Sequence, residues 1–167
     1  NAAKLSNLEV SRCPSADFST LHVASLYTFS AENNDLTDIS FLVEHGRLGT
    51  VDLSNNQISD LTPIADCISL KTLYAGSNRI NEIMALSHLD QLEDVDVSNN
   101  QISDLSPLTN LMKLETLNAS GNRISDLSPL ANVSSLRQLI LSDNSASDLR
   151  PLSDMNGLTT LELANNG

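Results

Sequence analysis

Carboxylates are the side chains whose type and spacing could do chemistry in this chain. Asp52, Asp94 and Asp96 lie close to Tyr74 in the periodicity described below. A second set, Asp38, Asp60, Glu82, Asp104, Asp126 and Asp148, recurs every 22 residues. Grouped carboxylates can ligate a cation, attract a basic partner or bond nearby backbone N–H groups. Calcium requires six to eight oxygens in one shell. The repeat spacing puts Asp52 two strands away from Asp94 and Asp96, about 10 Å off, so no metal site is expected. The second set stands just ahead of Ser/Thr-Pro turns, where Asp bonds local backbone well, and that structural role is expected for it. His22, His45 and His88 fall at unrelated positions, and no nucleophile elbow, P-loop or HExxH motif is present. The expectation is therefore of no catalytic residues, no cofactor and no metal: a chain that is not an enzyme.

Composition points the same way. The 167 residues carry 21 Asp and Glu against 9 Lys and Arg, a formal net charge of −12. Such a balance excludes nucleic acid as a partner, since phosphate binding needs cations to displace counterions, and it disfavours anionic membrane surfaces. Basic protein partners remain open. No apolar run is long enough to span a bilayer, and no charged region followed by an apolar core opens the chain. Aromatic residues are 3% with no Trp, so the core should be aliphatic. Cys13 and Cys67 form no CxxC pair and lie two repeats apart, which argues against zinc and against a disulfide. Cys67 shares a column with Leu89, Leu111, Val133 and Met155, so it should be a buried small hydrophobe.

What must position these side chains is a repeat. Leu26, Leu48, Leu70, Leu92, Leu114, Leu136 and Leu158 are spaced by 22. Three residues later come Phe29, Val51, Leu73, Val95, Leu117, Leu139 and Leu161. Two further on come Ala31, Leu53, Ala75, Val97, Ala119, Leu141 and Leu163. Three beyond those stand Asn34, Asn56, Asn78, Asn100, Asn122, Asn144 and Asn166. An earlier, looser copy reads Leu5, Leu8, Val10 and Cys13, one residue shorter, with Cys13 in the Asn position. The alternation of apolar and polar residues predicts short strands, and stacked units would align them in a parallel sheet. Each Asn should bond loop backbone of its own and the neighbouring repeat, since a buried amide needs partners. Ile58, Ile80, Ile102 and Ile124, then Leu61, Ile83, Leu105, Leu127 and Leu149, should turn the chain back inward. Thr62-Pro63, Ser106-Pro107, Ser128-Pro129 and Arg150-Pro151 suit an N-cap followed by the first helical position, with room only for 3-10 turns. Val51 with Leu53, Leu73 with Ala75, Val95 with Val97 and Leu117 with Ala119 alternate over two repeats, in step with Gln57, Arg79, Gln101 and Arg123. Volume compensation between layers and duplication of a 44-residue block both account for this.

The column pattern LxxLxLxxNxIxxLxxL is the leucine-rich-repeat signature. Within that class NQISDLSPLTNL and NRISDLSPLANV resemble the repeats of internalin-type bacterial surface proteins, and the 22-residue length more distantly resembles the phosphatase-regulating SDS22-like type. The resemblance covers nearly the whole chain. The expected fold is an α/β solenoid with a curved parallel β-sheet on the concave side, short 3-10 turns and loops on the convex side, and low helix content. Residues 1–25 form a divergent first repeat, 26–157 six 22-residue repeats, and 158–167 a partial terminal repeat, together a single domain. Because solenoids need capped ends, the chain is expected to be part of a longer protein. Leu161 and Leu163 at an open edge invite edge-to-edge self-association.

Solenoids bind through extended concave faces. The register assigns that face to three columns, with Asp52, Tyr74, Asp96, Asn118, Ile140 and Glu162 in the centre and Asp94 and Gln138 two residues earlier. Tyr74 and Ile140 are apolar where water is expected, and Tyr is favoured at interfaces. A basic or mixed partner docking around Tyr74 is the functional expectation, against a solvated small-polar sheet with two incidental exposures. Asn118-Ala-Ser and Asn132-Val-Ser are acceptor sequons, relevant only in a glycosylating pathway. The resemblance implies a protein-binding recognition module of a bacterial surface or secreted protein, with an extracellular or cell-surface location. Two unpaired Cys fit the alternative, an intracellular SDS22-like scaffold or regulatory subunit in the cytoplasm, slightly better.

Overall fold

A computed structural model describes residues 4–14, 16–19 and 21–167. Eight three-residue strands run in chain order: β1 Asn7–Glu9, β2 Thr28–Ser30, β3 Thr50–Asp52, β4 Thr72–Tyr74, β5 Asp94–Asp96, β6 Thr116–Asn118, β7 Gln138–Ile140 and β8 Thr160–Glu162. They form one parallel sheet in the order β1 to β8. The register is the one the repeat demands: Thr50 pairs with Thr72, Val51 with Leu73 and Asp52 with Tyr74. Each repeat therefore contributes one rung, and same-column side chains form rows. The middle residue of every strand from β2 to β7 is buried, and its two neighbours face water.

The ladder Asn explains why so short a strand suffices. Asn100 Nδ2 donates to the carbonyls of Val97 and Ser98 in its own repeat, at 3.1 Å each, and to Ala75 of the preceding one at 3.0 Å. Its Oδ1 accepts the Ile80 N–H at 2.9 Å. The same set recurs at Asn78, Asn122, Asn144 and Asn166. Loop backbone that could not pair within a three-residue strand is thus satisfied rung by rung. Cys13 does not take this role: it is exposed, and only its backbone N–H takes part, donating to Asn34 Oδ1. A thiol lacks the amide's two donors and strong acceptor, so the first unit closes through the Asn of the second.

Immediately before the Asn stands a second row that sequence reading did not anticipate. Asn33, Asn55, Ser77, Asn99, Gly121, Asp143 and Asn165 all have positive φ, between 52° and 63°. Left-handed backbone is tolerated by Gly, Asn and Asp and strained elsewhere, so the composition of this column has a backbone cause. Ser77 is the member whose type does not fit.

On the opposite side six 3-10 turns, at Ser40–Leu42, Thr62–Ile64, Met84–Leu86, Ser106–Leu108, Ser128–Leu130 and Arg150–Leu152, carry the chain back. No α-helix occurs among the described residues. The Ser and Thr here are the first residues of the turns, not caps; the preceding position is Leu or Ile, with no side-chain cap bond. The capping acceptor is the Asp two residues earlier. Asp38, Asp60, Asp104, Asp126 and Asp148 each accept the N–H of the turn's first residue, at 2.8, 2.8, 2.7, 2.8 and 3.0 Å. This places the five Asp of that column in a local structural role and, among the described residues, leaves Glu82 alone of the six outside it. The Thr62 hydroxyl and N–H hold the Asp60 carboxyl below its ordinary value, and the Ser128 N–H and hydroxyl do so for Asp126. Bonds from the Arg150 guanidinium and N–H bring Asp148 down to about 2.

Between sheet and turns lies one continuous core, in which Ile58, Leu61, Leu73, Ile83, Leu105 and Leu127 are essentially inaccessible. Leu149, expected to point inward with them, is 43% exposed near the end of the stack, where no following turn covers it. Both halves of the two-repeat alternation are fully buried, Leu53 as much as Ala75. On the surface the alternation has a polar cause as well: Arg79 donates to Gln57 at 2.8 Å and Arg123 to Gln101 at 3.3 Å. The core is aliphatic from Leu48 onward but not at its start. Phe18, Phe29 and Phe41 meet there, with ring centroids 5.0 to 5.7 Å apart. Three aromatic rings fill the irregular end, which offset and edge-on packing suits. Cys67 is buried, and burial pushes its thiol up to about 11; Cys13 is free and exposed.

Candidate functional site

Three-residue strands present two outward side chains each, and the residue two positions past the centre adds a third column. The face so built carries Asn7, Thr28, Thr50, Thr72, Asp94, Thr116, Gln138 and Thr160 in its first row. The second row holds Glu9, Ser30, Asp52, Tyr74, Asp96, Asn118, Ile140 and Glu162. Ser11, Glu32, Ser54, Gly76, Ser98, Ser120, Ser142 and Ala164 follow in the third. Its carboxylates are Glu9, Glu32, Asp52, Asp94, Asp96 and Glu162, and it contains no Lys or Arg.

The register sets Asp52 and Asp96 directly on either side of Tyr74, while Asp94 flanks Thr72. Tyr74 is 41% exposed, so its ring stands above the sheet. Beside it Gly76 is buried under its neighbours: a β-carbon there would lie 2.9 Å from Ser98 Oγ and 3.1 Å from Asp96 Oδ1. Asp96 is held from two sides, accepting the Ser98 N–H at 2.9 Å and the Asn118 amide at 3.0 Å. Asn118 in turn accepts the Ser120 hydroxyl at 2.8 Å. Asp52 accepts the Ser54 N–H at 2.9 Å. Asp94 makes no side-chain hydrogen bond among the described residues. Gln138 and Ile140 are half-buried on β7, and Glu162 is exposed on β8. Tyr74 is thus brought together with Asp52, Asp94 and Asp96, while Asn118, one strand beyond Asp96, links them to Ile140, with Gln138 on the same strand as Ile140 and Glu162 one strand further on. No cluster of His, Cys, Asp and Glu able to hold a metal forms among the described residues.

Tyr27, missed in the sequence, extends this face sideways. It is 48% exposed, and its ring covers Gly49 in the next repeat so closely that a β-carbon there would overlap it. Lys71 follows in the same row and pairs with Glu93 at 2.7 Å. The legible signal was a Tyr followed 22 residues later by Gly, a large side chain over an absent one.

The repeat and its solenoid have known relatives. The family model described as leucine-rich repeats (2 copies) matches residues 68–110, 90–132 and 112–153. An internalin (inlF) from Listeria monocytogenes superposes with a TM-score of 0.84 at 31% identity, covering 86% of this chain and 42% of that one. Internalin C2 (inlC2) from the same organism gives 0.82 at 38% identity, covering 83% and 62%. The chain therefore spans less than two thirds of the length of either. The ectodomain of the plant membrane receptor kinase GASSHO1/SCHENGEN3 from Arabidopsis thaliana, solved with CASPARIAN STRIP INTEGRITY FACTOR 2, shares the fold at 21% identity with a TM-score of 0.75. Among curated proteins none matches.

Proposed function

The chain belongs to the leucine-rich-repeat family of protein-interaction modules, with repeats of the internalin type, and from that premise we propose that it recognises a protein partner across the water-facing side of its sheet, centred on Tyr74, as part of a bacterial surface or secreted protein. The observation that carries this is the composition of that face: an exposed aromatic ring between Asp52 and Asp96, six carboxylates and no cation in three rows. An aromatic anchor gives contact area at low entropic cost, and a one-signed field steers a partner of the opposite sign. The partner surface is accordingly basic, with a flat or extended segment lying along the rows. Resemblance to two Listeria internalins supports the surface or secreted setting.

The test is capture of partners from candidate host or neighbouring-cell extracts by the wild type and by a Tyr74→Ala, Asp96→Ala, Ile140→Ser variant. The variant, with an unchanged circular dichroism spectrum, should retain about a tenth of the bound partner or less, the scale expected for lost anchor residues. Equal capture removes the face from the proposal. The free thiols of Cys13 and Cys67 favour a second reading, an intracellular scaffold in a reducing compartment. Surface biotinylation of intact producing cells separates the two: labelled protein supports the first, protection the second.

A further inference from the structure

The third 3-10 turn breaks the rule that the other five obey. At 82–85 the chain reads Glu-Ile-Met-Ala, where two other repeats have Asp-Leu-Ser-Pro. Every Asp of the column accepts the N–H two residues on, whereas Glu82 makes no side-chain hydrogen bond among the described residues. Its extra methylene is wrong for the tight turn, and Met84 offers no hydroxyl to recruit. The deviation changes the surface. Met84, in the place of Thr62, Ser106 and Ser128, is 62% exposed. A hollow opens on either side of it. One, of about 520 Å³, is lined by Glu82, Met84, Asp104, Pro107 and Arg123 among others. The other, of about 260 Å³, is lined by Asp60, Glu82 and Met84 among others. Asn81, Glu82 and Met84 border both, so the irregular turn is a ridge between two depressions.

We propose that this ridge and its hollows form a second docking surface, on the side of the solenoid opposite the sheet face, for a protein segment that carries an apolar side chain next to a Lys or Arg. Met supplies a flexible, polarisable contact that adapts to irregular partners. Charge complementarity selects the occupant. Asp60, Glu82 and Asp104 face the hollows against the one cation Arg123, which is engaged with Gln101. Glu82 is the carboxylate left free to meet a basic group. A regular solenoid has no need of this departure, since the neighbouring turns show that Asp, Ser and Pro close the loop. This surface does not depend on the sheet face binding anything.

A peptide Gly-Lys-Leu-Lys-Gly, titrated into the ¹⁵N-labelled protein, tests the assignment beside its counterpart Gly-Glu-Leu-Glu-Gly. The lysine peptide is expected to shift amide resonances of residues 81–85 and 103–106 and to leave 72–76 unmoved, while the glutamate peptide shifts neither set. A Glu82→Asp, Met84→Ser, Ala85→Pro variant, which writes the regular turn into this repeat, should fold with an unchanged spectrum and bind the lysine peptide at least about tenfold more weakly, the scale of losing an anchor. Glu82→Gln, which leaves the turn alone, should weaken it severalfold. Undiminished binding by both variants, equal shifts from the two peptides, or shifts confined to the sheet face would each overturn the proposal.

Discussion

Two kinds of polar row run the length of this molecule, and in the sequence they look alike. The Asn and Asp rows of the loops recur every 22 residues; so do the acidic and small polar positions of the strand face. Their bonding separates them. A loop Asn such as Asn100 makes four bonds to backbone of two repeats, and a loop Asp such as Asp104 holds both the N–H and the hydroxyl of Ser106. On the strand face Asp94 bonds to nothing among the described residues, and Asp52 makes a single bond to Ser54. The loop side chains join backbone of two repeats or close a turn and so serve the fold. Of the three Asp near Tyr74 on the strand face, Asp94 is unengaged among the described residues, Asp52 carries one local bond and only Asp96 is held from two sides, so this face keeps carboxylates turned to water for a partner.

The contrast predicts graded effects. Asn100→Ala should cost the most, about 3 kcal/mol by urea denaturation, because it strands several carbonyls and one N–H at once. Were Asn100→Ala as stable as the wild type, the distinction between the two kinds of row would collapse. Asp104→Ala removes one turn clamp and should lower the melting temperature by about 2–4 °C. Ser77→Asn should raise stability by about 0.5 kcal/mol, since it puts a residue tolerant of positive φ where one is required; a loss would mean that the Ser77 side chain has a role of its own. The clamp carboxyls are held below 3.8 when folded, so their stabilisation is full above that pH and is lost on acidification. For Asp148 the loss runs down to about 2. Melting curves of the wild type and Asp148→Asn should therefore differ at pH 6 and converge near pH 2. Asp94→Ala should change the melting temperature by about 1 °C or less while weakening capture of a basic partner, and a larger thermal change would move Asp94 into the structural class.

The parallel sheet, its register and the Asn rungs were legible because hydrophobic periodicity fixes rows and each row has one physical demand. What escaped did so for identifiable reasons. The positive-φ row at Asn33 to Asn165 is a backbone property that composition only hints at through Asn, Asp and Gly. The Phe18, Phe29 and Phe41 cluster joins residues with no common spacing, and an aromatic content of 3% points to an aliphatic core while giving no sign that the few rings meet at one end. The Asp column's local backbone role is legible, but not that it replaces the Ser or Thr as the turn's cap, because Ser and Thr are ordinary caps and here the Asp reaches over an intervening Leu or Ile. In the candidate site the columns through Asp52, Tyr74 and Asp96 follow from register alone. Tyr27 does not, because it belongs to the row just outside the strands.

Strand contacts run only between adjacent strands, and turn contacts only between adjacent turns. Tension applied between the two ends therefore meets no long-range clasp and falls on one interface at a time. Pulled in an optical trap, the molecule should lengthen in a sawtooth, each tooth releasing one 22-residue coil, about 70 Å of slack at roughly 3.3–3.6 Å per residue. A tether made this way yields in small increments instead of snapping.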